Sequence, residues 1–69
     1  MKLGNHLRRY RFEHDDMSQE ALANEVGVTR QTIYSIEKGK FVPSTLLALK
    51  LSKFFGCKVE DIFFTENSS

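Results

Sequence analysis

From Ser18 to Lys38 the apolar residues recur at helical spacing on both sides of one glycine, Gly27. Leu22, Ala23 and Val26 share a face before it, and Ile33 and Ile36 share a face after it. Ser18 and Thr29 stand where each run needs an N-cap. Two short helices joined through a turn of roughly three or four residues make a helix-turn-helix. With Gln19 as the first position of a unit of roughly 20 residues, small Ala23 falls at the close crossing of the two helices. Gly27 falls in the turn, where a positive φ is needed and a Cβ would cost energy. Val28 completes the apolar set that points into the core.

The flanking segments follow the same period. Leu7 and Tyr10 lie on one face of a first helix, about Asn5 to Glu13, and a polar connection from His14 to Met17 follows it. The third helix ends at Gly39. Ser44, after Pro43, caps a fourth helix carrying Leu46, Leu47, Leu49, Leu51, Phe54 and Phe55, which stops at Gly56. A short fifth helix, about Val59 to Phe63, has Lys58 where Ser or Thr would cap better. Met1 to Leu3 and Phe63 to Thr65 suit extended chain and can pair as a small two-stranded sheet. The expected fold is all-α, five helices in a single domain over 1–69, with the helix-turn-helix at about 19–38.

Composition excludes several classes. A chain of 69 residues buries only about 60% of its unfolded surface, so oligomerisation is the expected source of further burial. Cys57 is the single cysteine, which fits a reducing, cytoplasmic setting. His6, His14 and Cys57 lack metal-ligand spacing, and no metal or cofactor is expected. No apolar run nears the ~18 residues of a membrane span. No nucleophile, base and orienting group can be assembled from spacing, so the chain is not expected to be an enzyme.

The net charge of +1 makes distribution, not composition, the case for nucleic acid. Arg8, Arg9 and Arg11 cluster near the start, and Arg30, Lys38 and Lys40 cluster around the third helix. Opposite Ile33 and Ile36 lie Gln31, Ser35 and Lys38, with Tyr34 beside them and Arg30 and Thr32 in the first turn. Gln can bond adenine bidentately, Arg can bond guanine, and a Thr methyl can pack on a thymine methyl. A solvated face is the default for one amphipathic helix, but the complete helix-turn-helix register gives that face a docking role.

The stretch SQEALANEVGVTRQTIYSIEKGK, followed by PS and FFGCKVEDIF, resembles the short Cro/cI-type (Xre-like) helix-turn-helix regulators of bacteria, archaea and phages. The likeness covers about Asn5 to Phe63. It implies a lambda-repressor-like fold and sequence-specific binding of double-stranded DNA in the major groove. It also implies homodimers on near-palindromic operators. One domain of this size leaves no room for ligand sensing, so no small-molecule ligand is expected. By the family pattern Arg30, Gln31, Thr32, Tyr34 and Ser35 reach bases. Gln19, Thr29, Lys38, Lys40 and the loop at Phe41 hold the DNA backbone. Glu37 pairs with a first-helix arginine. Arg11 is the first choice; Arg11 to Gln19 is one residue longer than the family spacing, so Arg9 and Arg8 stand as substitutes.

Phe54, Phe55, Ile62, Phe63 and Phe64 form an apolar surplus too large for so small a core, and Ile62, Phe63 and Phe64 are the expected two-fold dimer contact. The leading expectation is therefore a dimeric repressor. The rival is a protein-interaction module of the same fold, antitoxin-like or an anti-repressor, against which the polar third helix argues.

Overall fold

The computed structural model describes residues 2–66. In chain order they form β1 (Lys2–Asn5), α1 (Leu7–Glu13), α2 (Gln19–Val26), α3 (Arg30–Glu37), α4 (Thr45–Phe55), α5 (Val59–Ile62) and β2 (Phe63–Glu66). Hydroxyl caps open three of the helices. Ser18 Oγ accepts from the Ala21 amide at 3.0 Å, Thr29 Oγ1 from Thr32 at 3.2 Å and Ser44 Oγ from Leu47 at 3.2 Å. Each satisfies an amide the helix leaves unpaired, a contribution of about 1 kcal/mol. Gly27 ends α2 at φ 74°, the left-handed cap that the turn into α3 requires. Lys58 cannot accept a cap bond, and α5 is fastened from the other side. Asp61 Oδ2 reaches back to accept from the Lys58 amide at 3.0 Å.

The chain ends pair. β1 and β2 run antiparallel, with Lys2 opposite Glu66, Leu3 opposite Thr65, Gly4 opposite Phe64 and Asn5 opposite Phe63. The sheet is longer than expected from sequence and takes residues from both neighbouring helices. Asn5 belongs to β1, so α1 starts at Leu7; Phe63 belongs to β2, so α5 stops at Ile62. Met1, expected in the first strand, lies outside the described residues. Asn5 turns the chain from strand to helix: its Oδ1 accepts from the Leu7 amide at 3.1 Å, and its Nδ2 donates to the Ile36 carbonyl at 2.9 Å. β1, α1 and α3 are thus tied at one residue.

Leu7, Leu22, Ile33, Ile36, Leu51 and Ile62 are fully enclosed, with Ala23, Val26, Leu47 and Phe63 around them. This corrects the dimer expectation for Ile62. It is 0% exposed inside its own chain and has no surface for a partner. The chain entering α1 is fastened to it, the His6 amide donating to the Ile62 carbonyl at 2.8 Å. Phe63 is nearly as buried, and Phe64 is half-buried on the sheet with its ring 4.6 Å from His6. Phe54 and Phe55 are also partly covered, in an aromatic group with Tyr10 and His14. Burial, with the Cys57 thiol beside it, pushes the Tyr10 phenol above its ordinary pKa. The apolar surplus surfaces elsewhere, at Phe12, Phe41, Val42, Leu46 and Leu49. Among the described residues no helix is long and apolar enough to cross a membrane.

Candidate nucleic-acid interface

Ile33 and Ile36 anchor α3 in the core, so its opposite side faces out. That side divides into a crest and two flanks. Gln31 and Ser35 form the crest, with Gln31 Nε2 3.5 Å from Ser35 Oγ. Arg30, Tyr34 and Lys38 form the flank toward α1, and Lys38 Nζ sits 5.8 Å from the centre of the Tyr34 ring. Thr32 lies on the other flank, lining a groove with Val28, Phe41 and Leu46. Its hydroxyl is 3.0 Å from that of Thr29. Arg30, Gln31, Thr29, Lys38, Lys40 and Phe41 are exposed, while Thr32, Tyr34 and Ser35 are half-buried.

Beneath the first flank runs a chain of polar contacts across three helices. Arg11 is the partner of Glu37. Its Nε donates to Glu37 Oε2 at 2.6 Å and its Nη2 to Oε1 at 3.0 Å. Arg9 instead pairs with Glu13 on the solvent side at 3.2 Å. The loop between α1 and α2 turns through Asp15 and Asp16, both left-handed at φ 59° and 55°. Arg11 Nη1 also holds the Met17 carbonyl at 2.7 Å, so the same side chain fixes the exit of that loop. From Glu37 the contacts pass outward. Gln19 Nε2 donates to Glu37 Oε1 at 3.1 Å, and Gln19 Oε1 accepts from Arg30 Nη1 at 3.1 Å. Gln19 is therefore engaged at both ends, and it orients Arg30 at the tip of α3.

Between α1 and α3 these residues enclose a concavity of about 600 Å³. Arg8, Arg11, Arg30 and Lys38 line it against the single carboxylate of Glu37. A chain of net charge +1 thus concentrates its positive charge beside the exposed face of α3. Sequence reasoning missed Asn5 and Phe12 here. Phe12 follows Arg8 by one helical turn, a spacing that brings side chains together and was open to view.

The Helix-turn-helix family model matches residues 7–62. An uncharacterized HTH-type transcriptional regulator of Methanocaldococcus jannaschii is 56% identical over 63 residues, covering 91% of this chain and 94% of that protein. The YgzD protein of Bacillus subtilis, described in the same words, is 58% identical over 52 residues, covering 75% of this chain and 79% of its own. The cryptic phage CTXphi transcriptional repressor RstR of Vibrio cholerae is 36% identical over 56 residues, covering 81% of this chain and 50% of its own. With α2, the Gly27 turn and α3 in place, the chain belongs to the Cro/cI-type (Xre-like) helix-turn-helix family of transcriptional regulators.

Proposed function

We propose that this protein is a cytoplasmic, sequence-specific regulator of transcription whose residues 1–69 act as one DNA-binding domain, with α3 in the major groove. The observation that carries this reading is the outward crest of exposed Gln31 and half-buried Ser35 beside Arg30, with the cationic concavity directly alongside. Gln31, Ser35 and Arg30 read base edges, and Tyr34 and Thr32 border them. Lys38, Lys40 and the backbone near Phe41 hold phosphates, as does the amide end of α2 at Gln19. Regulation is repression by occlusion, with the mechanism residing in binding and not in chemistry.

The active form is a homodimer on a near-palindromic site, with its recognition helices about 34 Å apart. The surface assigned to the second copy replaces Ile62 with an apolar groove of about 250 Å³ lined by Leu3, Pro43, Leu49, Val59 and Phe63. No charged side chain lines it, Leu49 is exposed at its edge, and Val42 borders the adjoining groove, which shares Leu3 and Phe63. A small chain that leaves such residues uncovered gains by covering them with a copy of itself.

The test is fluorescence anisotropy of the purified protein on duplex DNA from upstream of its own gene and on scrambled duplex, across a salt series. Preference for the upstream duplex with steep loss in salt is the expected result. Absence of binding to either duplex at low salt overturns the reading.

A further inference from the structure

The three arginines of α1 are used differently. Arg11 is buried against Glu37, and Arg9 is paired with Glu13 in solvent. Arg8 is exposed and has no carboxylate partner among the described residues. It lies with Phe12 on the flank of α1 that lines the concavity, whereas Arg9 and Glu13 share another flank. Its guanidinium carbon stands 5.4 Å from the centre of the Phe12 ring, and Phe12 is 50% exposed. An aromatic ring left half in solvent contributes little to a core. Placed under a guanidinium, it fixes a long, otherwise mobile cation at the rim of the cup. Lys38 over Tyr34 repeats the arrangement on the facing helix.

We propose that Arg8, positioned by Phe12, clamps a phosphate of the DNA strand that runs along the wall of the groove entered by α3. The inference rests on the DNA-binding reading above and adds to it a contact from the first helix. The chemistry favours a phosphodiester. A guanidinium presents paired N–H donors matched to two phosphate oxygens. Across the cup, Arg30 and Lys38 already face the same space, and the Glu37 carboxylate that would repel an anion is engaged by Arg11 and Gln19. An approaching backbone meets Arg8 and Lys38 without an available acid, while Arg30 and the crest of Gln31 and Ser35 stay free for bases.

The experiment measures affinity for an arbitrary duplex and for the upstream duplex between low and moderate salt. The proteins are the wild type and the Arg8→Ala, Arg8→Lys, Phe12→Leu and Arg9→Ala variants, each checked for an unchanged thermal unfolding curve. Arg8→Ala is expected to weaken both duplexes by on the order of tenfold at low salt and to reduce the salt slope by ~0.9. Arg8→Lys restores the slope because the charge remains. Phe12→Leu keeps the slope and loses about two- to fivefold in affinity, since only the positioning is gone. Arg9→Ala changes neither beyond about twofold. An Arg8→Ala slope equal to wild type overturns the clamp while leaving DNA binding intact. A loss confined to one duplex overturns it too, because a phosphate contact carries no sequence preference. If inorganic phosphate competes better than chloride at equal ionic strength while Arg8→Ala leaves DNA affinity unchanged, the cup belongs to a free anion and the proposal falls. A wild type that binds neither duplex removes the clamp and the DNA reading together.

Discussion

The Arg11 guanidinium grips both oxygens of the Glu37 carboxylate, at 2.6 and 3.0 Å, with only 10% and 8% of the two side chains exposed. The pair bridges α1 and α3, and its outward contact runs through Gln19 to Arg30. Breaking such a pair leaves one buried charge without its counterpart, at a cost of about 3–5 kcal/mol. That is most of the stability of a domain this size. Glu37→Ala and Arg11→Ala are each expected to show that loss in chemical denaturation. Replacing both together, Arg11→Met with Glu37→Leu, should recover most of it, because an apolar pair avoids the desolvation penalty. The double variant also frees Gln19 and therefore Arg30. Its DNA affinity should remain low after its stability returns. Full affinity in a refolded double variant would show that the network serves only the fold.

On the proposed reading, Gln31 and Lys40 separate the two kinds of DNA contact. Gln31 is exposed on the crest of α3, and Lys40 is exposed just past its end. Gln31→Ala is expected to cost about 1–3 kcal/mol on the preferred site and to relax discrimination at one base pair. Lys40→Ala should weaken all duplexes alike and lower the salt slope by about one. Competition assays against a panel of single-base variants distinguish the two. A Lys40 effect that depends on sequence would argue against a phosphate role.

Ile62 and Leu49 make a paired test of the proposed dimer surface. Ile62 is 0% exposed and Leu49 52%. Ile62→Ala removes volume from the core and is expected to cost about 2–5 kcal/mol, and Ile62→Asp should not fold at all. Leu49→Asp places a charge on the apolar groove and should give a folded monomer in sedimentation equilibrium. A dimer that survives Leu49→Asp would locate the interface elsewhere.

The contrast between those two residues marks what the sequence could and could not say. Local chemistry was legible. Ser18, Thr29 and Ser44 cap as their side chains dictate, Gly27 adopts the turn conformation, and the outward residues of α3 follow from counting around a helix. Coverage from distant chain was not. Nothing in the run from Val59 to Phe64 announces that Ile62 will be enclosed within its own chain. Nor does α4, apolar nearly all round, reveal that Leu46 and Leu49 are its uncovered positions. Which arginine meets Glu37 depends on how α1 is placed against α3, and it is Arg11 that comes within reach. That is a property of the path of the chain, invisible to spacing along it.

The terminal sheet yields the last prediction. Gly4 stands opposite Phe64 in the ladder, and a Cβ at Gly4 would run into the Phe64 ring. The glycine makes room for an aromatic that lies across it, an arrangement that lets a strand keep a residue of poor propensity. Gly4→Ala should therefore force Phe64 aside and cost about 1–3 kcal/mol. Gly27 differs. Space around it is open, so Gly27→Ala meets only the backbone strain of a left-handed residue, about 1–2 kcal/mol. The two costs are told apart by a double-mutant cycle with Phe64→Ala. Once the ring is gone, Gly4→Ala should be neutral or stabilising, because alanine loses less backbone freedom on folding than glycine. Gly27→Ala should cost the same in either background. Equal costs for Gly4→Ala with and without the ring would mean that Phe64 does not set the demand for glycine in β1.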